Sequence, residues 1–230
     1  MTEPLHYRYT STEMRKILGV SGCELMHLRT SNQLSFSRKG NAILYELPRG
    51  KTVLTHPLGK KLIEWYRDVH NIDIDNQPTS PQSRASLELL LNELLIPIER
   101  KFGRIKVTYG FTSAALKQYI VKNSPEGTCP ELDQHSSFEV NSKGRQVCSR
   151  GGAACDISAS NIDSADIVRF IVNKLNYDRI YFYGNQRPLH ISVNSSPNLH
   201  LQVMKESTGG KRYPAEKAFG KSAMKLAEDL

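Results

Sequence analysis

The chain has 230 residues, 39% of them hydrophobic, and a formal net charge of +8. That is enough apolar material for one large domain or two small ones. No run approaches the roughly 18 apolar residues of a membrane-spanning helix, and Met1-Thr-Glu-Pro4 lacks the apolar stretch of a signal peptide. A soluble, cytoplasmic protein with no membrane partner is the expectation. The cysteines, Cys23, Cys129, Cys148 and Cys155, are too few and too scattered for a disulfide scaffold, so reduced thiols are expected. The positive balance bears on partners rather than fold, and suits nucleic acid or another polyanion such as an anionic cell wall.

In chain order, Thr10-Ser-Thr-Glu13 and Ser21-Gly-Cys-Glu24 are two capping boxes, each offering a hydroxyl and a carboxylate to the first amides of a helix. Met14, Ile17 and Leu18 give the first helix its apolar face, Gly19-Val20 breaks it, and Leu25, Met26 and Leu28 face inward from the second. Leu34 to Tyr45 then alternates around Lys39-Gly40-Asn41 as a two-stranded wing. Across about residues 7–48 this order resembles the winged helix-turn-helix of excisionase and MerR-like DNA-binding proteins. The resemblance implies that the second helix enters the major groove and the wing touches phosphate. It would put Cys23, His27 and Arg29 toward bases, and Arg15, Lys16, Arg38 and Lys39 on the backbone. The competing reading is a small helical cap whose charges are merely solvated.

Leu58 to His70 predicts a helix with Leu62, Ile63, Tyr66 and Val69 on one face, and Trp65 in a core or an interface. Asp73 to Pro81, with two prolines, reads as a linker. Leu90, Leu91, Leu94 and Leu95 recur at helical spacing within Leu87 to Phe102.

Beyond it come Tyr109-Gly-Phe-Thr-Ser113, His135, Gly152-Ala-Ala-Cys-Asp156 and His190-Ile-Ser192. Two imidazoles and a carboxylate are the ligand types of an open, catalytic zinc site, in which a fourth position is left for water or substrate. A lone buried carboxylate at Asp156, in a small-residue apolar strand, would be costly without a cation. Over residues 86–195 these elements resemble the zinc D-Ala-D-Ala carboxypeptidase family, with its hedgehog/DD-peptidase fold and phage endolysin members. The resemblance implies Zn bound by His135, Asp156 and His190. The chain departs from the family in three ways. Twenty residues (136–155) separate His135 from Asp156 where the family's spacing is short. Thr112 stands where the family has an arginine, and the acidic or histidine residue before the last ligand is missing. Phe138 to Cys148, centred on Asn141-Ser-Lys-Gly144, reads as an inserted hairpin.

For hydrolytic chemistry, Asp133 and Glu139 are candidate bases and Arg187 a candidate cation for a carboxylate or phosphate. Cys129, Cys148 and Cys155 allow a rival thiolate zinc site around His135, although without a Cys-x-x-Cys pair. His200, alternating with apolar residues in Asn-Leu-His-Leu, reads as structural. Ser207 to Pro214 starts a flexible basic tail or arm, and Ala215 to Leu230 one short helix.

The fold class expected is α+β: a winged domain (1–50), a helix and linker (51–85), a zinc domain with an antiparallel sheet and flanking helices (86–206), and a basic tail (207–230). The function expected is that of a DNA-associated zinc hydrolase with a peptide, cell-wall or nucleotide substrate. The alternatives are a non-catalytic DNA-binding regulator and a phage-type cell-wall peptidase.

Overall fold

The computed structural model describes residues 7–123 and 134–230, which build an α+β protein with a three-stranded antiparallel sheet and a six-stranded mixed sheet. The chain divides into two units, Met1–Lys60 and Lys61–Leu230. Among the described residues no helix is long and apolar enough to cross a membrane.

In the first unit, strand β1 (Arg8–Thr10) leads into α1 (Ser11–Leu18), α2 (Gly22–Thr30), β2 (Phe36–Lys39) and β3 (Ala42–Glu46), with sheet order β1-β3-β2. Both capping boxes close as their spacing predicts. Glu13 Oε2 accepts from the Thr10 amide at 2.8 Å, and Glu24 Oε2 from the Ser21 amide at 2.7 Å. Gly19, with φ +70°, ends α1 in the left-handed conformation and donates to the Arg15 carbonyl at 2.9 Å, a geometry a side chain would strain. Tyr9, Met14, Ile17, Leu25, Leu34 and Tyr45 are buried. Helix α2 buries Leu25 alone, and Met26, expected inside, is exposed.

The second unit places its strands in the order β4 (Ile105–Tyr109), β5 (Ala153–Ala159), β7 (Leu189–Val193), β6 (Arg179–Phe182), β8 (His200–Glu206) and β9 (Arg212–Phe219). Every neighbouring pair is antiparallel except β6 with β8, so the sheet is mixed rather than wholly antiparallel. Period-two alternation gives the sheet two chemically different faces. Cys155, Ile157, Leu189, Ile191, Val193, Ile180, Phe182, Leu201 and Val203 share one parity, and all are buried. The helices α4 (Pro81–Leu90), α7 (Ser164–Lys174) and α8 (Lys221–Glu228) pack on the sheet, supplying Leu87, Leu90, Val168, Ile171 and Ala223 as buried partners. The opposite parity carries Asp156, His190, Tyr181, Arg179, His200, Gln202 and Lys217.

Helix α4 starts on Ser80, whose hydroxyl accepts from the Ser83 amide at 2.9 Å. It runs through a wide π-turn (Leu91–Leu95) into α5 (Ile96–Phe102). Pro97 has no amide to donate and its ring crowds the carbonyl four residues back. The wide turn, with the Ile96 amide donating to Leu91, admits it without ending the helix.

Three expectations are corrected here. In α3 (Pro57–His70) Val69 is 59% exposed, and Trp65 takes the inward position, its indole donating to the Phe111 carbonyl at 2.7 Å. Residues 73–80 have no regular element, yet they are pinned rather than loose. Asn76 is buried, donates to the carbonyls of Ile63 and Phe111 at 2.8 Å each, and accepts from the Ser113 amide at 2.7 Å. Residues 207–230 are neither an arm nor one helix, because β9 adds to the sheet through β8 before α8 begins. As an edge strand β9 is nearly all exposed and carries Arg212, Pro214 and Lys217, which discourage further pairing.

Ile191 has no solvent exposure on the central strand β7. Ile191→Ala is expected to lower stability by about 2–5 kcal/mol, measured by urea unfolding, while a loss below about 1 kcal/mol would mean that the apolar face is not the core.

Candidate metal centre

Asp156 and His190 are direct cross-strand partners on β5 and β7. Their side chains meet on the polar face, with His190 Nδ1 at 2.9 Å from Asp156 Oδ1. His135 arrives from a different part of the chain. Its backbone carbonyl accepts from the Thr112 amide at 3.0 Å, and the next residue, Ser136, donates to the Thr112 carbonyl at 2.7 Å. The segment is held from its other side by Gln134, whose amide nitrogen donates to Gly151 O and Asp178 Oδ2 at 2.7 Å each. His135 Nδ1 then reaches the Gly110 carbonyl at 2.9 Å, while Nε2 faces Asp156 Oδ1 at 3.4 Å.

The Tyr109–Ser113 segment is thus the backbone cradle of His135. Gly110 itself admits no side chain, since a Cβ there would collide with the Leu62 carbonyl. Gly152, with φ +98°, is equally constrained by the Val193 carbonyl, which lets β5 begin against β7.

One donor atom each from His135, Asp156 and His190 lies within 4.8 Å of the others, and these three side chains can hold a metal ion. The fit is supported by the second contacts of the imidazoles. With Nδ1 on the Gly110 carbonyl, His135 turns Nε2 toward Asp156, where a metal ion would take the place of the proton that Nε2 otherwise shares with the carboxylate. His190 Nε2 is buried with no hydrogen-bond partner among the described residues. Burial by itself raises the Asp156 carboxyl. Hydrogen bonds from His135 and His190, and their charge, act the other way and hold it well below the usual carboxylate range. Tyr109 stands edge-on to His135 at 4.6 Å, and Tyr181 stacks on His190 at 4.8 Å.

The other expected site residues have different partners or lie outside the described residues. Glu139 is buried, but its carboxylate accepts from Thr79 Oγ1 (2.8 Å), the Thr79 amide (3.1 Å) and Ser83 Oγ (2.7 Å), fastening the start of α4. Arg187 is exposed, with Nη2 at 3.7 Å from Glu206 Oε2. Asp133 and Cys129 lie outside the described residues. Cys155 is buried on the parity opposite to Asp156, and burial, then the Asp156 charge, push its thiol well up. Cys148 is buried as well, and the group that can hold a metal contains no cysteine among the described residues. Residues 138–148 make a short hairpin, Val140 bridging Gln146 antiparallel and the Val147 amide donating to the Glu139 carbonyl at 2.8 Å, around a tight turn in which Asn141 Oδ1 accepts from the amides of Lys143 and Arg145 at 2.9 and 3.1 Å. Thr112 is fully buried.

In the first unit Arg15, Lys16, Cys23, His27, Arg38 and Lys39 are exposed. Arg29 is half-buried and lies over the Phe36 ring at 5.8 Å, a cation–π contact between α2 and β2.

Sequence reasoning singled out the Tyr109–Ser113 segment but not the part of the Gly110 carbonyl in it, and it missed Tyr181, Gln134 and Asp178, which have no local signal. Asp178 is buried and accepts from Gln134 and from the amide and side chain of Asn198 at 2.7 and 2.6 Å. No protein family, curated protein or solved structure matches the chain.

His200 lies on the same face as the triad. Burial first, then Arg179, Lys217 and Arg150, lower its imidazole, against Asp178. Above its ordinary value of about 6.5 both folded and unfolded chains hold it neutral. Below that pH the unfolded chain takes up a proton that the folded one resists, so stability falls until pH reaches the lowered value. Urea unfolding between pH 7 and 5 is expected to show a smaller loss for His200→Asn than for the wild type, and equal losses would contradict the assignment.

Proposed function

We propose that the protein is a DNA-associated zinc hydrolase, its second unit binding Zn²⁺ through His135, Asp156 and His190 and its first unit contacting duplex DNA through α2 and the β2–β3 hairpin. The observation that carries this reading is the convergence of two imidazoles and a carboxylate from three separate segments on one sheet face. Two nitrogens and one oxygen are a donor set suited to zinc with an open position. The chemistry such an ion supplies is Lewis acidity toward a carbonyl or phosphoryl oxygen. The chain's own part is to fix the donors, through the Gly110 carbonyl on His135 and the β5–β7 register on Asp156 and His190. The resemblance to zinc D-Ala-D-Ala carboxypeptidases agrees with this set.

A second reading, a non-catalytic regulator with a metal-stabilised platform, is favoured by one specific observation: Glu139 is committed to Thr79 and Ser83. A screen of the metal-loaded protein against D-Ala-D-Ala peptides, cell-wall fragments and nucleotides separates the two readings.

Metal analysis of the purified chain is expected to find about one equivalent of zinc, falling to near none in His135→Ala or His190→Ala and unchanged in Cys148→Ser. A full equivalent in both histidine variants would overturn the assignment. For the first unit, duplex DNA binding is expected to weaken linearly with log salt. Arg38→Gln should reduce that slope by about one phosphate contact, and binding with no salt dependence would favour the solvated-cap reading.

A further inference from the structure

The backbone of residues 110–113 bonds in alternation to two different parts of the second unit. Gly110 and Thr112 face the His135 segment. The Gly110 carbonyl accepts from His135 Nδ1 at 2.9 Å, the Thr112 amide donates to the His135 carbonyl at 3.0 Å, and the Thr112 carbonyl accepts from Ser136 Oγ at 2.7 Å. Phe111 and Ser113 face the other way. The Phe111 amide donates to the Leu62 carbonyl at 2.8 Å, and the Phe111 carbonyl accepts from Trp65 Nε1 at 2.7 Å and Asn76 Nδ2 at 2.8 Å. The Ser113 amide donates to Asn76 Oδ1 at 2.7 Å. The groups that aim the His135 ring are therefore themselves held from behind, one residue removed.

Asn76 bonds to two of these four residues and ties both to α3, because its Nδ2 also donates to the Ile63 carbonyl at 2.8 Å. It is 2% exposed. Its amide fits only one way round: turned over, Oδ1 would face the carbonyls of Ile63 and Phe111, and Nδ2 would face the Ser113 amide. Three bonds thus fix the side chain and, with it, the bend by which the chain leaves β4 at Tyr109 and enters α6 (Ala114–Asn123). Truncating Asn76 would leave the buried Ser113 amide without its acceptor, a loss the bend can relieve only by moving. Groups that orient a metal-binding histidine count toward affinity nearly as the ligands do.

We propose that Asn76 is a positioning residue of the metal centre, setting the Gly110 carbonyl and the Thr112 amide and through them turning His135 Nε2 toward Asp156. The effect on metal affinity rests on the metal-centre reading, whereas the effect on the His135 ring does not. Ser113 offers the control. Its hydroxyl accepts from the Leu116 amide at 3.3 Å and lies 3.4 Å from the Asp75 carbonyl, so Ser113→Ala loosens the same bend while the backbone bond to Asn76 stays.

The test compares the full-length wild type with Asn76→Ala, Asn76→Ser and Ser113→Ala, each first shown to be folded by urea unfolding. Zinc affinity is measured by competition with a chromophoric chelator. Exchange of the His135 Nδ1 proton is measured by nitrogen-edited NMR on the metal-free chain, the resonance being assigned by its absence in His135→Ala. Asn76→Ala is expected to weaken zinc about 10–100-fold and to speed exchange of that proton, with Ser113→Ala like the wild type in both. Asn76→Ser, whose shorter hydroxyl replaces at most part of the three bonds, is expected to fall between and supplies the reading if Asn76→Ala does not fold. Zinc held as tightly by the Asn76 variants as by the wild type, or weakened as much by Ser113→Ala, would overturn the proposal. If the wild type binds no zinc, the metal reading falls. Faster exchange in the Asn76 variants than in Ser113→Ala then still upholds the aiming of His135, and equal exchange overturns that as well.

Discussion

The Asp156 carboxylate, held between two imidazoles on a sheet, is the interaction around which the second unit is arranged. One imidazole comes with the sheet, because antiparallel pairing of β5 with β7 sets Asp156 opposite His190. A one-residue slip of β5 would turn Asp156 onto the apolar face and away from His190, so the register that buries Cys155, Ile157 and Ile191 is the register that builds the site. The other imidazole is brought by a backbone bond from the Thr112 amide to the His135 carbonyl and by its own Nδ1 on the Gly110 carbonyl. Core packing and site geometry are therefore set by the same strand pairing.

The buried polar groups around the triad extend this logic. Gln134 ties the His135 segment to Asp178, and Asp178 is tied in turn to the Asn198 turn ahead of β8. Glu139 fastens the same loop region to the start of α4. Each buried carboxylate has several donors, which offsets the cost of taking it out of water. Among the described residues, His190 Nε2 is buried on the same face with no hydrogen-bond partner, on the side of the ring away from Asp156.

What the sequence disclosed was local. Capping boxes, the Gly19 break and the turn at Gly40 depend on residues within a few positions of one another, and their geometry follows from side-chain chemistry alone. The grouping of His135, Asp156 and His190 was legible through residue type and order, but the cradle at Gly110 was not. What escaped was non-local. Glu139 reads as a free acid until Thr79 and Ser83, far away in the chain, meet it. Strand β9 has no apolar alternation because it is an exposed edge, so Arg212 to Phe219 read as tail and helix. His200 looked structural because it alternates with Leu199 and Leu201, yet that alternation is what turns it to the polar face beside Arg179.

The central claim is that one ion sits among two imidazoles and a carboxylate. X-ray absorption spectroscopy at the zinc edge on the purified chain tests it most directly. The account predicts a first shell of nitrogen and oxygen at about 2.0–2.2 Å, with imidazole scattering from two histidines and no sulfur. A sulfur shell at about 2.3 Å, or a shell without imidazole, would contradict it.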